Sequence, residues 1–532
     1  MVSAARPVER PRREPFPDTW AAAPLLAAAA ALGLYLPTLM PGVGVWDTAE
    51  FQALGPTLGI AHPTGYPAYT LLLWLASVVL QPFGEPAFRA NLLSALLTAG
   101  AAAFAAIALI QLTRRTAIAL AGGIALAVAP VAWANALRAD PHPFHLFLSA
   151  LLLVLLIAWG ERVRAGEERA GRLLVAASAV WALSVGNHAL SLLLAPGIAL
   201  YVLLVVPPRA WLTRRHWGLV LGCIVTIVVI VVATYAYLPI RSSMGPPLDY
   251  AHPADWIRTD AWGNVTGGFR YLVLGEQFQG TFRELPELRE AIATVWAQLE
   301  ANLGPAAWLV LLGIPAGLIR RTRETILMLA WFVITWRFSL GYLNAAIERY
   351  YLVPILVAVL WAGMGLDLVW SALARVGRLV AAPGSRAAQA TGLAASILIG
   401  GLALGVVLQP VQERARMLDA SGDTWAQAWL DEVLVALPQD AVIVSWWGWS
   451  TPLWYAIHVE GRRPDLLVID DRNVLDDGYG GAGVAIDTWL GRRPVYIIRL
   501  DGDLPAFQER WGLEPLPGIT TGSPVYRVIP PS

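Results

Sequence analysis

The stretch Val45-Trp46-Asp47-Thr48-Ala49-Glu50-Phe51-Gln52 sets two carboxylates three residues apart. If Asp47 starts a short helix, Glu50 shares its face. Shortly after comes Gly59-Ile60-Ala61-His62-Pro63-Thr64-Gly65-Tyr66-Pro67, a rigid Pro/Gly turn that carries His62 and Tyr66. Two carboxylates followed by a histidine have the chemistry of a general base with an auxiliary ligand. Spacing alone favours a simpler assignment, since carboxylates at helix starts are common: Asp47 caps the helix and Glu50 is solvated.

Further polar groups stand near the ends of apolar runs. Arg138, Asp140, His142 and His145 surround one such end, Asn187-His188 occupies a second, and Glu348-Arg349-Tyr350-Tyr351 opens a third. Arg241 follows Tyr237-Leu238-Pro239-Ile240, where its paired donors suit the oxygens of a lipid-linked phosphate or anchor the helix at the interface. Each residue taken singly reads as an interfacial anchor, whereas their joint occurrence on one face of a membrane favours a polar cavity. The tryptophans Trp446, Trp447, Trp449 and Trp454 can stack on sugar rings or pack a domain onto the bilayer. No Asp-x-Asp pair occurs in the first loop, no histidine pair has zinc-ligand spacing with a third ligand, and no Gly-rich phosphate loop is present. Neither a metal nor another cofactor is expected.

The elements that must position these groups are membrane helices. Of 532 residues, 57% are hydrophobic and 14% charged, well short of the roughly 25% charged in an ordinary soluble domain. Formal net charge is zero, which gives no footprint for nucleic acid, and the single Cys223 excludes an intrachain disulfide framework. Apolar runs starting near Trp20, Ala90, Ala117, Phe144, Leu173, Ala189, Trp217, Pro305, Ile326, Tyr351 and Gly392 predict about 11 transmembrane helices. Tyr66 to Leu80, about 15 residues, is too short and reads as interfacial or re-entrant. With that choice the positive-inside rule puts Arg6, Arg10, Arg12, Arg13, Arg114-Arg115, Arg162 to Arg172, Arg209 to Arg215, Arg320 to Arg323 and Arg375 to Arg386 in the cytoplasm. Arg114, Gly166 and Arg321 then face inward, and Thr48, Asn264 and Gly480 outward.

The expected organisation is a cytoplasmic tail over 1–19, a transmembrane domain over 20–409 with outer loops 41–89 and 241–302, and an extracytoplasmic α/β domain over 410–532. Leu173 to Val206 reads as a hairpin turning at Gly186-Asn187-His188. In the last domain, β-like runs at Ala441 to Ser445, Leu466 to Asp470, Val495 to Leu500 and Val525 to Ile529 alternate with helix-compatible segments such as Thr424 to Leu437, capped by Asp423.

Asp47-Thr48-Ala49-Glu50-Phe51 with Ala61-His62-Pro63-Thr64-Gly65-Tyr66-Pro67, Tyr237-Leu238-Pro239-Ile240-Arg241 with Pro246-Pro247-Leu248, and Gly461-Arg462-Arg463-Pro464-Asp465 resemble a bacterial membrane-protein family. Its eukaryotic relative is a transmembrane protein O-mannosyltransferase acting on immunoglobulin-like receptor domains. More distantly, the layout is similar to the GT-C glycosyltransferases, in which an outer first loop carries the catalytic acid and a polyprenyl-phosphate sugar is the donor. The resemblance implies an inverting enzyme in which Asp47 is the catalytic carboxylate and Glu50 its partner. Asp-Thr-Ala-Glu stands where relatives often have Asp-Ser-Gly-Glu or an adjacent Asp-Glu pair, which leaves open which carboxylate is the base. The expected reaction moves a hexose, mannose, from a polyprenyl-phosphate donor to an acceptor hydroxyl of a protein Ser/Thr or a glycan. Donor or acceptor would be held by His62, Tyr66, Arg138, His142, Asn187, His188, Arg241, Glu348 and Arg349. A transporter or flippase of lipid-linked sugars is the rival reading, although paired repeats and midplane broken helices are missing from the pattern.

Overall fold

The computed structural model describes residues 19–259, 265–380, 398–471 and 478–530. The N-terminal arginines, Asn264, Arg386 and the start of the run at Gly392 lie outside the described residues. Each of the other predicted runs falls on a helix. Among the described residues, five helices are long and apolar enough to cross a membrane: Pro86–Thr113, Pro141–Arg164, His216–Ser242, Leu288–Arg320 and Ile347–Arg375. A sixth span arises if Thr116–Val128 and Pro130–Ala136 count as one, bent by 63°. The bend has a local cause, because Pro130 cannot donate to the preceding turn and biases Ala129 to its extended conformation.

Leu221, Ile224, Val225, Val228, Val229 and Val232 on the His216–Ser242 helix stay exposed, an apolar face suited to lipid. The Pro86–Thr113 and Pro141–Arg164 helices instead share a core rich in small residues, where Ala101, Ala105 and Ala108 allow close approach. Pro67–Val79 spans 13 residues, about 20 Å at helical rise, short of a hydrocarbon core of about 30 Å. The expected hairpin is a helix Gly171–Asn187 that stops at extended His188, a 3-10 turn Ala189–Leu194 and a returning helix Ala195–Val205. Gly186 permits the turn to touch its neighbour, since a Cβ there would lie 2.8 Å from Thr234 Oγ1.

The last part of the chain builds a five-stranded sheet in the order Leu467–Asp470, Val442–Ser445, Val495–Ile497, Tyr526–Ile529, Gly512–Pro515. The first three strands are parallel and the last two antiparallel to their neighbours. Helix Trp447–His458 is the crossover between the parallel neighbours Val442–Ser445 and Leu467–Asp470, and Ala482–Trp489 leads from Leu467–Asp470 to Val495–Ile497 on the far side of Val442–Ser445. The helix Trp425–Ala436 has Thr424 at its N-cap and no side-chain cap, so the cap expected at Asp423 does not form. The sheet is joined to the membrane part through one core: Phe51, Leu54 and Tyr69 of the first loop are buried with Trp429, Leu453 and Tyr455. Tyr455 Oη also accepts from the Ala87 amide at 3.1 Å, tying the Trp447 helix to the start of a spanning helix.

Candidate active site

The first-loop helix runs Trp46–Thr57, with extended Val45 at its N-cap. Asp47 is therefore inside the helix, and its carboxylate accepts from other elements instead of capping. Oδ1 accepts from the Trp447 indole at 3.0 Å and Oδ2 from Arg349 Nη2 at 3.1 Å. Glu50, one turn on, is not solvated: its side chain is 3% exposed against 23% for Asp47. Its Oε1 accepts from the His62 amide at 2.8 Å and its Oε2 lies 2.5 Å from His62 Nδ1. Glu50 thus ties the Pro/Gly turn to the helix, and Asp47 keeps the more accessible edge.

The turn that carries His62 closes with Gly65 at φ 83° and Tyr66 at φ 44°. Only glycine takes the first conformation freely, and a Cβ on Gly65 would sit 3.2 Å from Leu238 and Leu272. Tyr66 tolerates the left-handed region at a cost in backbone strain, and the result is a ring 5.1 Å from His62 and 5.3 Å from His188.

A third carboxylate enters from the Pro141–Arg164 helix. Asp140 is its N-cap, accepting at Oδ1 from the His142 amide at 2.8 Å and facing His142 Nδ1 at 2.6 Å. Its Oδ2 accepts from Arg349 Nη1 at 2.9 Å. One guanidinium therefore bridges Asp47 and Asp140, with only 18% of the Arg349 side chain exposed. Burial pushes the Asp47 carboxyl up, but His62, Arg349 and the Trp447 hydrogen bond outweigh it and hold the group below its ordinary value. Asp140 is likewise held low, by His142 and Arg349 against burial.

His142, His145 and His188 gather behind this bridge, with centroids 4.9 Å apart for His142 and His188 and 6.3 Å for His145 and His188. Asn187 anchors the hairpin by donating Nδ2 to the Pro141 carbonyl at 3.1 Å. The structure thus brings together Asp47, Glu50, His62, Tyr66, His142, Asn187, His188 and Arg349. It leaves out Arg138 and Glu348, both exposed. Arg241, expected to face a donor phosphate, has turned onto the end of the first-loop helix: Nε donates to the Leu58 carbonyl at 2.8 Å and Nη2 to that of Thr57 at 3.1 Å. Helix ends leave such carbonyls without partners, and a guanidinium supplies two donors at once.

Asp140 and Trp447 are noted in the sequence, but neither is assigned there to donor or acceptor binding or placed beside Asp47. Asp140 had a signal, since Asp before Pro-His-Pro is a helix N-cap pattern. Trp447 stood in a tryptophan cluster to which packing or sugar stacking was assigned, and nothing local points it at a carboxylate 400 residues away. Asp47, Glu50 and His62 also present one ligand atom each within 4.8 Å of one another, a grouping a metal ion can use. All four oxygens of the two carboxylates nevertheless accept from, or lie against, nitrogen groups of the chain.

Solved structures of two proteins share this architecture. ArnT from Cupriavidus metallidurans bound to undecaprenyl phosphate matches with a TM-score of 0.57 at 14% identity, over 94% of this chain and 97% of that one. The oligosaccharyltransferase AglB from Archaeoglobus fulgidus, in complex with an inhibitory peptide and a dolichol-phosphate, gives 0.52 at 13% identity, over 95% and 74%. The chain has a GT-C fold. Within it, residues 47–210 match the family described as Protein O-mannosyl-transferase TMEM260 N-terminal domain. That segment begins at Asp47 and holds Glu50, His62, Asp140, His142 and His188. The Protein O-mannosyl-transferase TMEM260 of Mus musculus is 25% identical over 477 residues, 85% of this chain. The chain spans 62% of that relative's length.

Proposed function

We propose that the protein is a membrane glycosyltransferase that moves a hexose, mannose, from a polyprenyl-phosphate donor to an acceptor hydroxyl of a protein Ser/Thr or a glycan, with inversion. The observation that carries this reading is the Asp47 carboxylate, the more accessible member of the pair, held ionised between the Trp447 indole and the Arg349 guanidinium. Asp47 takes the proton of the acceptor hydroxyl as its oxygen attacks the anomeric carbon, and the lipid phosphate departs with the bonding pair. Phosphate leaves without protonation, so one carboxylate suffices for the proton transfer. Glu50 fixes His62 and the loop, while Asp140 and Arg349 orient Asp47 and set the local charge. Support for the donor class comes from the shared fold of ArnT and AglB, whose structures contain undecaprenyl phosphate and a dolichol-phosphate. Support for the sugar and for a protein acceptor comes from the family match.

In this reading about eleven helices span the membrane, the first loop and the sheet domain face away from the cytoplasm, and the N-terminus lies inside. The positive-inside pattern supports the orientation. This reading requires no metal, since the lipid phosphate leaves without one and the carboxylates are held by nitrogen groups of the chain. The test is transfer of radiolabelled mannose from undecaprenyl-phosphate mannose to acceptor by protein purified in detergent, with and without a chelator. Transfer at rates within about twofold in both is expected. Movement of intact lipid-linked sugar across vesicles without transfer would replace the enzyme by a flippase.

A further inference from the structure

Two ring nitrogens in the histidine group have no part in the proton transfer and no partner among the described residues: His142 Nε2 and His188 Nε2. Both residues are buried, and a buried polar atom left without a partner is destabilising, which calls for an explanation. Their hydrogen-bonding roles follow from the opposite side of each ring. His188 Nδ1 accepts from the Leu190 amide at 3.1 Å, so that nitrogen carries no proton and Nε2 carries one. His142 Nδ1 faces the Asp140 carboxylate at 2.6 Å, which can only accept, so Nδ1 carries the proton and Nε2 of the neutral ring offers a lone pair. A donor and an acceptor thus stand on rings whose centroids are 4.9 Å apart.

A metal ion does not suit this pair, because His188 would have to lose its last proton to bind one. An anion does not suit it either, since His142 presents a lone pair. A group that both accepts and donates fits, and a hydroxyl is the simplest. Asn187 Oδ1, beside His188 in the chain and also without a partner, adds a second acceptor on the same hairpin turn. Tyr350 lies over both rings, at 5.1 Å from His142 and 6.1 Å from His188, and Tyr66 covers His188 from the first loop. Access of a sugar to the nitrogens requires Tyr350 or Tyr66 to move aside on binding.

We infer that His142 and His188 form a donor–acceptor pair that reads one hydroxyl of the transferred hexose, making them sugar-specificity residues. The inference rests on the glycosyltransferase reading above and assigns a role that reading does not require. His188 Nε2–H donates to the sugar oxygen, and the sugar O–H donates to His142 Nε2. The proton on that hydroxyl stays where it is, so no bond is made or broken at this position.

The experiment is competition binding to the purified full chain in detergent, with radiolabelled undecaprenyl-phosphate mannose as probe and its single-deoxy and single-fluoro analogues as competitors. In the unmodified protein, one deoxy position is expected to bind at least about tenfold more weakly than the parent, with the others changed much less. At that position fluorine accepts but cannot donate, so the fluoro analogue falls between deoxy and parent. In His142→Phe the difference between hydroxyl and fluoro is expected to vanish while deoxy stays weaker. In His188→Phe the fluoro and deoxy analogues become alike while the hydroxyl keeps an advantage. The inference is overturned if every deoxy analogue competes within about threefold of the parent in the unmodified protein, which needs no variant to fold and would assign the nitrogens to buried water. It is also overturned if the position-specific loss persists unchanged in both variants. Failure of the labelled parent to bind the unmodified protein at all is a different result and removes the donor reading itself.

Discussion

The two ends of the same helices carry charge in opposite ways. At the end with the basic loops, arginines outnumber carboxylates: Arg114 and Arg321 meet Glu161 at 2.6 and 3.2 Å, Arg115 and Arg320 meet Asp367 at 2.5 and 3.0 Å, and Arg164 meets Glu324 at 2.7 Å. Arg321 further donates to the Leu112 and Gln111 carbonyls, and Tyr201 to Glu324. At the first-loop end one arginine serves two carboxylates, a third carboxylate is matched by a histidine, and ring nitrogens of two histidines are left over. A cluster of the first kind is an anchor, because every carboxylate is neutralised by guanidinium and the pairs staple neighbouring helices. The second kind has a carboxylate in excess and unused donors and acceptors, which is the condition of a site awaiting a substrate.

The comparison is tested most strongly at Asp47. Asp47→Asn keeps size and most hydrogen bonding but cannot take a proton, so transfer is expected to fall by roughly 10²-fold or more with the thermal midpoint nearly unchanged. Glu50→Gln loses less activity, since its part is to hold His62. Normal turnover in Asp47→Asn with an inactive Glu50→Gln would exchange the two roles. Normal turnover in both would take the loop out of the chemistry.

Arg349→Gln is expected to have the next largest effect, leaving two carboxylates without their shared cation and costing on the order of 3 kcal/mol of stability. It also gives a pH signature. In the unmodified protein Asp47 is held below its ordinary 3.8, so what depends on its charge is present above that range and is lost only as pH falls through the lowered value. Without Arg349, burial prevails and the pKa rises, so the acid limb of kcat/KM moves to higher pH. An unmoved limb would show that Arg349 does not set the charge of Asp47.

At the anchor end, Arg321→Ala should lower the thermal midpoint by about 1 °C, in keeping with about 1 kcal/mol for a partly exposed pair whose carboxylate retains Arg114. Activity per folded molecule stays the same. A changed KM for donor would mean that the two ends are coupled. The smallest change is expected from Arg241→Ala, which removes two bonds to the first-loop helix end and lowers stability by about 1 kcal/mol, with donor KM within about twofold. A large rise in KM, relieved by Arg241→Lys, would return the phosphate to this residue.

Much of this was legible in the sequence because it is local. Apolar runs and basic clusters fix where helices start and which ends they share, since insertion in a bilayer depends on length and charge. Asp47, Glu50 and His62 could be singled out because a short helix and a Pro/Gly turn bring them together within 16 residues of chain. Four of the five sheet strands were visible for the same reason, as apolar stretches bounded by turns; Gly512–Pro515 was not, because Gly-Leu-Glu-Pro carries no apolar run. The partners of Asp47 were not. Arg349 and Trp447 reach it over 302 and 400 residues, through the packing of a spanning helix and of the sheet domain against the first loop. Arg241 shows the converse: its position at a helix end suggested a ligand, and the fold gave it two backbone carbonyls instead. A side chain's type and neighbours determine what it can do, but which polar group meets it in a dry interior is decided by contacts between elements that sequence periodicity does not encode.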